Sequence, residues 1–134
     1  MDEKANRYTG RKAPGRPGQL IGGTLDDTIK VEANLLHDHV CQALADPKRI
    51  VILYLLAEGP QNVGEIAEAL DSPQSTVSRH LKVLRDRSLV TSERDGATVV
   101  YSLADRRIIQ ALDLMRAMVM SSLNEQARLA QQLS

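Results

Sequence analysis

The first half of the chain alternates helical apolar patterns with polar breaks. A first helix is expected from near Thr24, with apolar residues at helical spacing at Ile29, Leu36, Val40 and Leu44. Asp46-Pro47 then restarts the chain with an N-cap residue and a proline suited to the first helical position. The apolar run over residues 50–56 predicts a buried central helix, which is expected to end near Gly59-Pro60.

Two further helices are expected on either side of a tight break. Asn62 and Glu65 have the spacing of a capping box, and the short helix that they open has an apolar inner face at Ile66, Ala69 and Leu70. Ser72 as N-cap and Pro73 as the first residue start the next helix, which is expected to run to about Arg87. A short helix, a tight turn and a second helix are the elements of a helix-turn-helix.

After Leu89 the apolar pattern changes to the alternation of a strand. Residues 89–94 and 97–103 are expected to form a hairpin, with Asp95-Gly96 as a type I′ turn in which both central residues have positive φ. A long helix follows from Asp105 to about Gln132, with an apolar stripe at Ile108, Leu112, Met115 and Val119. The expected fold is mainly α with a small β-hairpin.

The helix that begins at Pro73 has two chemically different faces. Val77, Leu81 and Leu84 are spaced for the core. The opposite face carries polar and basic residues, namely Gln74, Ser75, Ser78, Arg79 and Lys82. Glutamine and arginine can read adenine and guanine in the DNA major groove, so this face is a candidate for base recognition.

Composition limits the remaining choices. The 134 residues carry no formal net charge, no Phe and no Trp, so stacking of single-stranded bases is disfavoured. The balance of charge differs in the helix that begins at Pro73 and the strand that follows it, where basic residues outnumber acidic ones. The basic residues are Arg79, Lys82, Arg85, Arg87 and Arg94, and the acidic ones are Asp86 and Glu93. No apolar run is long enough for a membrane span and no secretory signal is visible, so we expect a cytoplasmic protein.

Two regions are expected along the chain. Residues 1–22 are basic and rich in Gly and Pro, and we interpret them as a flexible N-terminal arm, either a plain solvated tail or a segment that touches DNA. Residues 23–134 are expected to form the domain that contains the helix-turn-helix and binds DNA, and resemblance to a known family adds dimerisation to its role.

The chain resembles the ArsR/SmtB family of winged helix-turn-helix repressors. The resemblance covers about residues 30–120 and rests on the stretches 43–49, 65–70, 75–84, 89–90 and 96–103, which follow one another in the family's order. It implies a homodimer that joins through its first and last helices, binds an inverted-repeat operator, and is released from that operator by an effector.

The same resemblance implies roles for individual residues. Bases and phosphates would be read by Gln74, Ser75, Thr76, Ser78, Arg79 and Lys82. The wing tip, with Arg94 and Gly96, would touch the flanking backbone or minor groove. His80 lies toward the core side of its helix and is interpreted as structural.

The metal sites of the family do not match this sequence. Its Cys-x-Cys pair corresponds here to Asn62 and Gly64, and its sites on the last helix correspond to Asp105, Arg107, Met118 and Ser121. The remaining candidate ligands for Zn²⁺ are His37, His39 and Cys41. We favour ordinary structural roles for these three residues, and no cofactor is predicted.

Two alternatives to a sequence-specific regulator stay open. One is a non-specific architectural DNA-binding protein, and the other is a winged helix that docks on a protein partner. An enzyme is not expected, because the sequence shows no phosphate loop, no ordered nucleophile and base, and no catalytic metal spacing.

Overall fold

The computed structural model describes residues 26–133, which fall into two units with a boundary between Asp38 and His39. The expected arm over residues 1–22 and the helix start near Thr24 lie outside the described residues. In the first unit, helix α1 spans Asp27–Leu36, and the Asp26 carboxylate caps it by accepting from the Thr28 N–H at 3.0 Å. A π-helical turn, His37–Cys41, follows α1.

The second unit has four helices and three strands among its described residues. One turn of 3₁₀-helix at Ala43–Ala45 precedes the first of them. In chain order the elements are α2 (Pro47–Ala57), β1 (Gln61–Asn62), α3 (Val63–Leu70), α4 (Gln74–Asp86), β2 (Val90–Asp95), β3 (Thr98–Leu103) and α5 (Arg107–Leu133).

The core of this unit is aliphatic, as the lack of Phe and Trp requires. Every helix of the unit contributes to it, together with β2. Its buried residues are Ala43, Ile52, Leu53, Leu56, Ile66, Ala67, Val77, Leu81, Leu84, Val90, Ile109 and Leu112. Two expectations need correction, because Ala67 rather than Ala69 faces inward on α3, and Val51 on the central helix is exposed.

Two of the predicted helix starts are confirmed. The Asp46 carboxylate accepts from the Lys48 N–H at 2.9 Å, with Pro47 as the first residue of α2. At α3 both halves of the capping box form: Asn62 Oδ1 accepts from the Glu65 N–H, and Glu65 Oε1 accepts from the Asn62 N–H, each at 2.9 Å. The start of α3 is thus fixed by two reciprocal bonds.

The start of α4 differs from the prediction. Pro73 is the N-cap residue, and no side chain caps this helix. The Ser72 hydroxyl instead donates backward to the Leu70 carbonyl at 3.3 Å. Serine and threonine hydroxyls satisfy local carbonyls as readily as helix N–H groups, so the sequence alone did not distinguish the two arrangements.

The sheet has three strands in the order β1-β3-β2. The two-residue strand β1, which the sequence did not reveal, pairs antiparallel with β3 through Gln61 opposite Tyr101. In the hairpin, Asp95 pairs with Thr98, so the turn residues are Gly96 and Ala97. Of these two residues, only Gly96 has positive φ, at 67°, so the turn lies one residue later than predicted and is not of type I′.

The last helix is anchored only near its start. Ile109 and Leu112 are buried, whereas Met115 and Val119 of the predicted stripe are 46% and 49% exposed. Within residues 26–133, no helix is both long and apolar enough to cross a membrane.

Replacement of the α3 cap should destabilise the fold. We expect Asn62→Ala to lower the free energy of unfolding by about 1 kcal/mol, since it leaves the Glu65 N–H without its partner. Ser72→Ala is the matched control and should change it by less than about 0.5 kcal/mol, because Ser72 caps no helix. Urea unfolding at one fixed protein concentration measures both variants, and equal losses would contradict the assignment of the caps.

Candidate nucleic-acid interface

Burial of one face of α4 fixes which side chains the helix presents to solvent. Val77, Leu81 and Leu84 have no exposed surface at all, so α4 cannot rotate about its axis without opening the core. The polar face predicted from the sequence is exposed along its length, at Gln74, Ser75, Ser78, Arg79 and Lys82, and Thr76 is half-buried beside it.

The first residue of that face lies over the preceding helix. A Cβ atom built on Gly64 would lie 3.4 Å from Gln74 Nε2 and 3.3 Å from Asn62 Oδ1. The Gln74 amide therefore rests close above the start of α3, in a space that a larger residue at position 64 would crowd. Gly64 supports this placement, and sequence reasoning considered that position only as a missing metal ligand.

The basic residues around α4 divide into free and engaged groups. Within the described residues, the side chains of Arg79 and Arg94 have no hydrogen bond or ion pair. Lys82 Nζ lies 2.9 Å from Asp86 Oδ2, and this hydrogen bond is the main reason why the pKa of Asp86 is below its ordinary value. Arg85 donates to Ser92 Oγ at 3.4 Å and Arg87 to Gln42 Oε1 at 2.9 Å. The cations most available to an external anion are therefore Arg79 and Arg94.

A polar cluster lies behind α4, on the side away from the exposed face. Arg49 Nη1 is 3.2 Å from His80 Nδ1, and Arg49 Nε donates to the Ala43 carbonyl at 2.6 Å. His80 Nε2 lies 3.9 Å from Asp46 Oδ2, and the His80 side chain is 12% exposed. The expectation that His80 points toward the core agrees with this position, but the sequence did not reveal its partners.

The hairpin β2–β3 forms the wing, with both of its predicted contact residues at the exposed tip. Arg94 pairs with Val99 near the end of the ladder, and Gly96 occupies the turn. The wing thus consists of the two strands of the sheet that follow α4 in the chain.

The first part of α5 is fixed to α2 by polar contacts as well as by the core. Tyr54 Oη donates to Asp113 Oδ1 at 2.7 Å, and the Arg116 guanidinium lies 5.1 Å from the centre of the Tyr54 ring. Arg106 donates to the Ala57 carbonyl at 3.1 Å. Beyond Arg116 the helix has no buried residue.

The positions that correspond to metal sites in the family do not form a ligand set. Arg107 holds the Asp105 carboxylate through bonds of 2.6 and 3.1 Å, and its side-chain hydrogen bonds keep the pKa of Asp105 at about 2. In the part of the chain that the structure describes, no three His, Cys, Asp or Glu side chains are grouped so that they could hold a metal ion. Cys41 is exposed rather than buried as a small apolar residue.

Comparison with known proteins agrees with this arrangement. Residues 46–92 match the family model described as bacterial regulatory protein, arsR family. The HTH-type transcriptional regulator NmtR of Mycobacterium tuberculosis is 49% identical over 72 residues, which are 54% of this chain and 60% of the relative. The arsenical resistance operon repressor of Bacillus subtilis is 36% identical over 83 residues, 61% of this chain and 79% of the relative.

A solved structure shares the fold over most of the chain. It is the homodimeric winged helix-turn-helix DNA-binding domain from Mycobacterium bovis, a possible ArsR-family transcriptional regulator. The TM-score is 0.65 at 27% identity, and the match covers 82% of this chain and 95% of that one. The chain spans 60% of the length of NmtR and half the length of SmtB of M. tuberculosis.

The helix pair α3–α4 and the wing that follows it define a winged helix-turn-helix protein. The chain belongs to the ArsR family of bacterial regulatory proteins, since residues 46–92 match the family model and the B. subtilis repressor, 36% identical, is covered over 79% of its length.

The corrected turn predicts which wing residue tolerates a side chain. Gly96→Ala should destabilise the hairpin by about 1–2 kcal/mol, because Gly96 has a left-handed φ that a Cβ atom disfavours. Ala97→Ser is the control and should be nearly neutral. Hydrogen exchange of the β2 and β3 amides reports the local effect, and equal protection in the two variants would contradict the assignment of the turn.

Proposed function

We propose that this protein is a sequence-specific regulator of transcription that binds double-stranded DNA as a homodimer, with α4 as the recognition helix. The observation that carries the proposal is the division of α4 into a fully buried apolar face and a continuous exposed face of hydrogen-bonding side chains. A helix of this kind fits the major groove, whose base edges present distinct donors and acceptors.

The exposed residues suit direct reading of bases. Gln74 can pair with adenine and Arg79 with guanine through two hydrogen bonds each, and the serines can bond to bases or phosphates. Arg79 has no partner among the described residues, so it exchanges no protein contact for the DNA contact. Thr76 is half-buried, and its assignment to the reading set rests on the family resemblance.

Lys82 and the wing suit contacts with the DNA backbone. Lys82 is exposed and paired with Asp86, so a phosphate would replace a carboxylate that it already holds. Arg94 and Gly96 lie at the wing tip, where an unpaired guanidinium and a turn without a side chain permit close approach to the backbone or minor groove. Such contacts would set the register of α4 without reading sequence.

Dimerisation is supported by apolar surface on the helices at both ends of the described chain. In the single chain, α1 exposes Ile29, Val31, Leu35 and Leu36, and α5 exposes Leu114, Met115, Met118, Val119, Met120, Leu123, Leu129 and Leu133. Exposed apolar side chains in this number on a helix mark interaction surfaces. The related M. bovis domain is described as homodimeric. We infer that a second copy covers these helices, which would place two copies of α4 on an inverted-repeat site.

Action as a repressor that an effector releases is the finer part of the proposal. The arsenical resistance repressor of B. subtilis carries that role in its name. For this chain the engaged Asp105 argues against a metal at the start of α5, so an effector would need a different site or chemistry.

A titration with the chain's own upstream DNA tests the proposal directly. Fluorescence anisotropy at physiological salt would compare the native duplex with a scrambled duplex of equal length. We expect a preference of about 10³-fold or more for an operator sequence. Equal, weak and steeply salt-dependent binding to many genomic duplexes would support an architectural role instead, and no binding to any would support docking on a protein partner.

Arg79→Ala should lose about 1–3 kcal/mol of operator binding and relax the preference at one base pair, because a bidentate contact to a base is removed. Arg107→Ala is a control with the same change in charge. Its side chain is bound to Asp105, beyond the end of β3 that lies away from the wing tip. Equal affinities of the two variants for operator and scrambled duplexes would remove Arg79 from the reading set.

Val119→Glu should convert the dimer into a monomer, because it places a carboxylate in the apolar surface of α5 that we assign to the interface. Asn124→Glu is the control, since at 100° per residue it lies about 140° away from Val119 around the helix, on the side of Asp113 and Arg128. Sedimentation equilibrium measures the mass of each variant. A Val119→Glu protein that stays dimeric would exclude this surface as the interface.

A further inference from the structure

We propose that Arg49 and His80 form a positioning contact that sets α4 for DNA binding, and that this contact exists only while the His80 ring is uncharged. The inference rests on the proposed function, since it concerns how the recognition helix is held. The observation behind it is the cluster of Ala43, Asp46, Arg49 and His80 on the inner side of α4.

The geometry assigns the protonation state of the ring. An arginine guanidinium carries only donors, so His80 Nδ1, at 3.2 Å from Arg49 Nη1, must be the acceptor. The ring proton is then assigned to Nε2, which faces Asp46 Oδ2 at 3.9 Å. The same guanidinium donates to the Ala43 carbonyl at 2.6 Å, so one side chain joins the turn before α2 to the middle of α4.

Protonation would break this contact in two ways. A proton on Nδ1 would point at the guanidinium, which removes the acceptor and sets two positive charges about 3 Å apart. Asp46 Oδ1 is already held by the Lys48 N–H at 2.9 Å. Arg49 or the ring must therefore turn away, and α4 loses its hydrogen bond to Arg49.

The groups around His80 favour the uncharged ring at neutral pH. Partial burial is the largest cause that lowers the pKa of His80 below its ordinary value of 6.5, and the positive charges of Arg49, Lys48 and Arg79 act in the same direction. Asp46 opposes them, but the net direction is downward. The contact is accordingly complete above pH 6.5 and is lost as the pH falls through the lower pKa of the folded protein.

The position of His80 in the chain connects this contact to recognition. Arg79, the free cation of the reading face, precedes it, and Leu81, fully buried, follows it. A change in the charge of the ring therefore occurs directly between Arg79, which we assign to base reading, and Leu81, which holds the helix in the core. Acidification should weaken operator binding, although added positive charge alone would strengthen binding to phosphates.

Operator affinity measured from about pH 8 down to one pH unit below the pKa of His80 in the folded protein tests the proposal, because the ring changes its charge within that range. Wild type should lose about tenfold more affinity than His80→Asn, which keeps an acceptor near the Nδ1 position but does not titrate. The double variant His37→Gln/His39→Gln, which removes the other two histidines, should keep the wild-type profile. A His80→Asn profile that matches wild type would overturn the proposal.

A DNA-free measurement separates this inference from the proposed function. Proton NMR titration of His80 should give a pKa below 6.5, and Arg49→Gln should raise it, since a positive charge is removed from beside the ring. A His80 pKa that does not respond to Arg49→Gln would disprove the contact. Specific binding that fails at every pH while the pKa responds would instead refute the DNA-binding function, and with it the role of the contact in recognition.

Discussion

The burial of Val77, Leu81 and Leu84 is the interaction on which the exposed surface of this protein depends. Three aliphatic side chains with no exposed surface fix the rotation of α4, and every polar residue on its other side takes its direction from them. Since a core without aromatic rings packs only small branched groups, the fit must come from the spacing of these residues. A change in the core contacts of α4 would thus redirect Gln74 and Arg79 together.

A second constraint comes from the segment between α2 and α3, where Asn62 is both a helix cap and a strand residue. Asn62 caps α3 through its side chain and also pairs with Val100 in β3. The start of the helix pair is therefore tied to the middle strand of the wing sheet. Leu89, half-buried after α4, accepts from the Ala104 N–H at 3.0 Å and closes the far end of the same sheet. The helix α4 and the wing consequently share one framework.

The sequence predicted the elements of this unit and failed at their junctions. Periodicity located α2, α3, α4, the hairpin and α5, because each has an apolar face that needs a partner. Periodicity did not reveal the hydrogen bond of Ser72, the position of the wing turn or the strand β1. A hydroxyl can bond forward or backward, a register shift of one residue leaves the Gly at the tip, and a two-residue strand has no period to detect. The reading residues followed from the buried face, whereas the contacts of Arg49 and Gly64 depend on long-range packing that no local pattern encodes.

The distribution of polar and apolar contacts along α5 separates its two halves. Up to Arg116 the helix is held by the Ile109 and Leu112 side chains and by the bond from Tyr54 to Asp113. The whole helix has 27 residues, and beyond Arg116 it continues for more than four turns without a buried side chain, although it carries apolar residues throughout. Most of the stability of helices in proteins comes from an apolar face packed on a partner. The anchored half therefore belongs to the winged helix-turn-helix. The remaining half is complete only when the second copy that we infer covers its apolar side chains.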